Sequence, residues 1–463
     1  MRRLGWATCA AALLSLVVSC TSIPLLVPDL AAPSGGSHAV QLRGARGPLS
    51  SAQSKAVLER LRGGASNDIL SRHLAIEEAL VGTPLVTGNQ VSLLQDGPAT
   101  YRAMFAAIGA ARDHINMETY ILEDDEVGRQ FADALIAKAR AGVQVNLIRD
   151  SVGTLSTPSE FFQRLRDAGI QTLEFNPVNP LVARKGWDIN QRDHRKLLIV
   201  DGDVAFLGGI NISSVYSGGS YSQRKPDKED AAHSAPWRDT DLQVRGPVVA
   251  EFQKLFMQTW SSQKGPAIKP RNYFPPGRVV GDQVVRAIGS SPDEPYSFIY
   301  ATLLSAINNA ENSIELTNAY FAPDPQLLSA LQAATARGVK VRLILPSQTD
   351  SWLVFQAGRS YYEQLLKSGI EIYERRGVIL HSKTALIDGV WSTVGSTNLD
   401  WRSFLHNQEV NAVILGASFG RQIAAMFERD LANSQRITLD QWNHRPWDLR
   451  LKESFARAWA YWL

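Results

Sequence analysis

Two segments of this chain carry the same three residue types at the same spacing: His194, Lys196 and Asp201 in DHRKLLIVDG, and His381, Lys383 and Asp388 in LHSKTALIDG. An asparagine follows each histidine by seventeen residues, Asn211 after Gly208-Gly209 and Asn398 after Gly395-Ser396. Each copy also places one carboxylate seven residues before a glycine that ends an apolar stretch, Asp239 before Gly246 and Glu409 before Gly416. Imidazole exchanges a proton near neutrality, lysine and asparagine donate to phosphate oxygens, and a carboxylate beside an imidazole fixes its tautomer. Two such sets point to two half-sites of one centre for phosphodiester chemistry. One histidine attacks phosphorus; the other, protonated, donates to the departing oxygen and then takes the proton of the incoming alcohol. Lys196 and Lys383 hold the equatorial oxygens, Asn211 and Asn398 add neutral donors, and Asp239 and Glu409 orient the two imidazoles.

The triplets read as strands. In KLLIVDG and KTALIDG side chains alternate between faces, so His and Lys, two apart, project together and reach one phosphate. Asp201 and Asp388 belong to the catalytic set as motif members. They fall on the opposite face near the strand end, where a carboxylate suits fixing the turn better than chemistry. There is no CxxC, HExxH or HxxxH, and the acidic run EDDE (123–126) lacks ligand spacing and reads as a solvated turn, so neither metal nor cofactor is expected.

The duplication extends well beyond the triplets. HINMETYIL (114–122) matches SIELTNAYF (313–321), FADALIAKARAGVQVNLI (131–148) matches LLSALQAATARGVKVRLIL (327–345), and LRDAGIQTLEF (165–175) matches LLKSGIEIYE (365–374). Each half reads as a β-branched strand, an amphipathic helix ended by Gly142 or Gly338, a second strand, a further helix and strand, and then the triplet strand. The expected fold is α/β: two homologous halves, each a mixed sheet flanked by helices, with the active site at their junction.

On these residues the chain resembles the phospholipase D superfamily, whose mark is a pair of HxKx4D motifs. The likeness covers about residues 88–436. Within the superfamily it is most similar to bacterial cardiolipin synthases, through NQRDHRKLLIVDGDVAFLGGINIS, WRDTDLQVRGPVV, NAYFAPD and GSTNLDWRSFLHNQEVN. The resemblance implies a phosphatidyltransferase acting on phosphatidylglycerol and a second phospholipid through a phosphohistidine, with the nucleophile more often in the first motif. The same residues serve a hydrolytic phospholipase D, in which water replaces the acceptor alcohol, and a nucleic-acid phosphodiesterase is the third reading. The polar stretch 216–237 departs from the pattern and reads as a mobile loop.

The surroundings bear on that choice. The chain has 463 residues with a formal net charge of +3, so no strong general attraction to nucleic acid is expected, and none is assigned as partner. Local basic segments such as RKGWDINQR (184–192) suit anionic head groups as well as a nucleic-acid backbone. The N-terminus, MRRLGWATCAAALLSLVVSC, has a basic start, an apolar run too short to span a bilayer and a lipobox-like VVSC, which makes Cys20 the expected lipidation site. These features place the protein in a bacterial cell envelope, lipid-anchored at the membrane surface and facing the periplasm. The expected organisation is a signal peptide over 1–19, a tether and small helical segment over 20–85, the first half over 86–260, a proline-rich linker over 261–280, the second half over 281–436, and an amphipathic segment over 437–463. In that last segment Leu451, Phe455, Trp459 and Trp462 stand at helical spacing among Arg450, Lys452 and Arg457. It reads equally as a helix lying in a lipid interface or one packed on the protein's own body.

Overall fold

A computed structural model of the chain describes residues 40–62, 69–179, 187–219 and 235–462. The signal segment with Cys20, most of the tether and residues 220–234 of the insertion lie outside the described residues.

The two halves form one continuous sheet. In the first half the spatial order is Gln171–Phe175, Gln144–Asp150, His114–Thr119, Leu197–Val200, Val204–Gly208, Asp241–Arg245 and Leu85–Leu94. The second half repeats it with Glu371–Arg375, Lys340–Pro346, Ser313–Asn318, Lys383–Ile387, Trp391–Gly395, Asn407–Leu415 and Gln283–Ser290. The first strand of each half, Leu85–Leu94 and Gln283–Ser290, pair antiparallel and join the sheets. In both halves the first three strands of this order are parallel and linked through helices, as the βαβ pattern requires, while the triplet strand returns antiparallel; in the second half Ser434–Ile437 adds an antiparallel edge strand.

Sequence punctuation accounts for the helices between those strands. Glu126–Arg140 begins at Asp125, whose carboxylate accepts the Gly128 N–H at 2.8 Å, so the end of the EDDE run works as a helix cap. It ends before Gly142, at φ +91°, and the corresponding helix Pro325–Ala336 ends before Gly338, at φ +90°. Phe131, Leu135 and Leu165 pack on Ile115 and Leu147 in the first half, as Leu327, Leu331 and Leu365 do on Ile314 and Leu343 in the second. A third cluster belongs to both halves: Ile199, Leu207, Leu242 and Val244 meet Val285, Val394, Val410 and Ala412 beneath Phe252 and Phe256. Each such buried side chain contributes about 1.5–3 kcal/mol, so the shared core holds the halves in one register.

Two expectations change in detail. The histidines precede the triplet strands rather than lying in them, because regular pairing begins only at Leu197 and Lys383. The residues just before have left their own sheet to pair with the other half. Of the two readings of the C-terminal segment, the structure shows the packed one: helix Trp447–Ala458 buries Glu453 and Ala456, the latter in one cluster with Ala357 of helix Trp352–Arg359. Its outer face nonetheless leaves Trp447, Leu451, Phe455 and Trp459 in solvent.

Asp201 and Asp388 close the far ends of the triplet strands at φ +54° and +51°. Asp201 accepts the backbone N–H groups of Arg112, Asp113 and His114 at 2.8–3.0 Å, and Asp388 those of Glu311, Asn312 and Ser313 at 2.7–2.9 Å. Each ties its hairpin to the start of the neighbouring strand. Replacing Asp388 by Ala is expected to cost about 1–2 kcal/mol by removing the shared acceptor of three amides, read as a lower denaturant midpoint. A midpoint equal to that of the parent would refute this anchoring role.

Candidate active site

Each motif histidine is placed by the opposite half. Arg192–Asp193 forms a short parallel bridge with Asn407–Gln408, and Trp237–Arg238 forms its counterpart with Ile379–Leu380. The His194 N–H donates to the Gln408 carbonyl at 3.0 Å and the His381 N–H to that of Arg238 at 2.7 Å. These crossings carry the carboxylates with them. His194 Nδ1 meets both oxygens of Glu409 at 3.0 and 3.1 Å, and His381 Nδ1 meets Asp239 Oδ2 at 2.7 Å. Spacing within one half named both acids, but the partnership runs between halves.

Small residues make room for the pairs. A Cβ on Gly209 would fall 2.3 Å from Asp239 Oδ1, so only glycine fits there. The equivalent residue in the second half, Ser396, instead donates its hydroxyl to Glu409 Oε2. Lys196 and Lys383 turn back so that each Nζ donates to the carbonyl of its own motif histidine, Lys196 at 2.7 Å. Asn211 receives the Ile121 N–H at 3.1 Å and donates to the Tyr216 hydroxyl at 3.0 Å, whereas Asn398 Oδ1 is buried without a partner.

A cleft of about 410 Å³ opens over this group, lined by His194, His381, Asn211 and Asn398. With Nδ1 of each ring engaged, Nε2 is the nitrogen available for chemistry in the cleft. Asp201 and Asp388, counted in the catalytic set from the motif, are not brought to it, since their carboxylates are spent on the turns at the other strand ends. Sequence reasoning missed several cleft residues: Tyr120, Trp237, Tyr320, Asp350, Asp400 and Arg402. Some signal was present, since Tyr120 and Tyr320 stand in the matched segments and Asp400 two residues after Asn398.

Burial dominates the electrostatics. It pushes the Lys196 ammonium down to about 7 and that of Lys383 to about 8, with Asp239 and Glu409 only partly offsetting it. Burial also lowers both imidazoles, His194 far below its ordinary value with help from the two lysines. It raises the Glu409 carboxyl to about 7 against the pull of Lys196. A buried group of this kind is short of a counter-charge, which a phosphate supplies.

A family model described as cardiolipin synthase, PLD-like domain, matches residues 104–217 and 303–431, and so takes in both motifs. The chain belongs to this phospholipase D-like family. It is 36% identical over 81% of its length to a cardiolipin synthase of Alkalihalophilus pseudofirmus, covering 72% of that protein. It is 35% identical over 77% of its length to cardiolipin synthase A of Pseudomonas entomophila, covering 71%. Among solved structures, phosphatidylserine synthase of Haemophilus influenzae shares the fold with a TM-score of 0.59 at 14% identity, over 82% of this chain and 96% of that one. The chain is thus a phospholipase D-type phosphatidyltransferase, and both crossed histidines lie within the matched residues.

Because both lysines lose charge as pH rises through about 7 and about 8, this phosphatidyltransferase should bind anions with proton uptake. Tungstate, whose own charge is constant over this range, is expected to bind best at and below neutrality. Above pH 8 its affinity should weaken by up to about tenfold per unit for each titrating lysine. Calorimetric titration checks this, and an affinity constant from pH 6 to 9.5 would contradict it.

Proposed function

We propose that the chain makes cardiolipin, transferring a phosphatidyl group from phosphatidylglycerol to a second phospholipid through a phosphohistidine at His194. The observation that carries the reading is the pair of imidazoles on one cleft, each held at Nδ1 by a carboxylate of the other half. His194, the more strongly depressed, is neutral and free to attack phosphorus. His381, held 2.7 Å from Asp239, is better suited to carry a proton.

The steps follow. His194 Nε2 forms the N–P bond as the glycerol oxygen leaves with the proton of His381. The glycerol departs, an acceptor hydroxyl gives its proton to His381, and its oxygen displaces His194 from phosphorus. Lys196, Lys383, Asn211 and Asn398 stabilise the charge on the equatorial oxygens. Every charge in the scheme is met by a side chain, so no step calls for a metal.

Support for cardiolipin over a hydrolytic product comes from the relatives, which are named cardiolipin synthases. A lipid anchor at Cys20 facing the periplasm would bring the cleft to its substrates, and the C-terminal helix would seat it. That helix rests on Trp352–Arg359, whose Val354 lines the cleft. Its exposed Trp447, Leu451, Phe455 and Trp459 have aromatic and apolar character suited to a lipid interface.

Two experiments test the proposal. His194→Ala and His381→Ala should each lower turnover by at least about 10³-fold, because nucleophile and acid act as a unit. With labelled phosphatidylglycerol, the His381→Ala protein should accumulate a phosphohistidine adduct that the His194→Ala protein lacks; the reverse pattern would exchange the roles. Trp447→Ala combined with Phe455→Ala should weaken binding to phosphatidylglycerol vesicles by about tenfold or more. Unchanged vesicle binding would place the membrane contact elsewhere.

A further inference from the structure

The catalytic groups repeat about a pseudo-two-fold, yet the reaction has two different ends. Residues that break the repeat are therefore the ones able to tell donor from acceptor. Matched bridges, Leu122 with Ile212 and Phe321 with Leu399, align the cleft walls. Tyr320 then stands where the first half has Ile121, and Asp400 where it has Ser213. The helix Trp352–Arg359, preceded by Asp350, has no helical counterpart in the first half, where residues 151–156 form turns. Three of these departures, Tyr320, Asp350 and Asp400, are polar and belong to the second half.

We propose that Asp350, Tyr320 and Asp400 form a subsite for the hydroxyl-bearing head group, holding the leaving glycerol and then the polyol of the acceptor beside His381. This rests on the reading of His194 as nucleophile, since an in-line displacement sends the leaving oxygen to the opposite side, where His381 stands. The Tyr320 ring packs edge-on to His381, with centroids 6.1 Å apart. Its hydroxyl donates to the Asp350 carboxylate, 2.7 Å from both oxygens, which leaves the phenol oxygen free to accept. Asp400 is 3% exposed and uses one oxygen on the Ser403 N–H at 2.8 Å. Asn398, also 3% exposed and lining the same cleft, has an Oδ1 without a partner.

Tyr320, Asp350, Asp400 and Asn398 each offer an acceptor oxygen on this wall, and a polyol is a ligand rich in O–H donors. Water can meet these groups one at a time, whereas a glycerol bridges several at once and is held with one hydroxyl toward His381. When that hydroxyl gives its proton to His381 Nε2, its oxygen forms the new O–P bond as the His194 N–P bond breaks. The wall thereby favours transfer to a polyol over hydrolysis. Burial raises the Asp400 carboxyl to about 7, so near neutrality it is partly protonated and suits a neutral polyol better than a cation.

The test uses the full chain with acyl-labelled phosphatidylglycerol vesicles and the free alcohols glycerol, ethanol and ethanolamine as competing acceptors, each carrying a second label, so that capture of glycerol, which regenerates phosphatidylglycerol, is read as that label entering lipid. In the parent protein glycerol should be captured in preference to both others. In Asp350→Asn and Tyr320→Phe the glycerol-to-ethanol product ratio should fall by about tenfold, with a larger share of phosphatidic acid from water. An unchanged ratio in folded, active variants would overturn the subsite. So would preferential capture of ethanolamine, or loss of transfer to both alcohols alike, which would put these residues in the chemistry rather than in recognition. A parent protein that transfers to no alcohol would instead defeat the phosphatidyltransfer reading beneath the proposal.

Discussion

The exchange of short segments between the halves is the constraint on which the site depends. Arg192–Asp193 and Ile379–Leu380 each leave their own sheet to pair with the chain that carries the other half's carboxylate. An imidazole with Nδ1 tied to a carboxylate has its tautomer and ring plane fixed, and Nε2 is left for chemistry. Because each carboxylate comes from the opposite half, neither half alone contains an oriented histidine. The shared core of Leu242, Val244, Val410 and Ala412 is therefore as much a part of catalysis as the motif residues, since a shift between halves would move both hydrogen bonds.

Burial then sets the chemistry. Two lysines, two histidines, Asp239 and Glu409 are enclosed together, and desolvation weakens the charge of the lysines, the imidazoles and Glu409. Burial draws the lysines toward neutrality and the Glu409 carboxyl toward protonation. In the proposed reaction a phosphodiester entering the cleft would return the lysines to their charged form by giving them a partner. His194 profits from the same arrangement: its depressed basicity keeps it unprotonated, the form in which its nitrogen can attack.

Much of this was legible in the sequence because duplication writes every feature twice. The glycines ending the helices at Gly142 and Gly338, the strand order, and the acids seven residues before Gly246 and Gly416 all recur in the same sequence order. The spacing could not show which acid serves which histidine, since a repeat read along the chain suggests pairing within a half, and strand exchange is a tertiary event. It also could not show that the histidines precede their strands, because alternation continues through residues whose hydrogen bonds go to another sheet. For Asp201 and Asp388 the alternating faces already pointed away from the cleft, and the three backbone donors on each explain why the motif keeps a carboxylate there. The residues peculiar to one half, Tyr320, Asp350 and Asp400, were passed over for the same reason that the motifs stood out: they have no second copy.

A symmetric centre poses a problem that the symmetric residues cannot solve. With both histidines flanked by lysine, asparagine and a carboxylate, either could begin the reaction, and a donor lipid could enter in two senses. Differences beyond the motif break the tie. The bridge ahead of His194 is polar, with Arg192 beside Asn407, while that ahead of His381 pairs Ile379 with Trp237, whose ring centroid lies 5.1 Å from the imidazole. Glutamate serves one histidine at 3.0 Å and aspartate the other at 2.7 Å, and that tighter contact favours the protonated ring at His381. The two halves share one strand order and one set of motif residues, and divergence around those residues makes the cleft asymmetric.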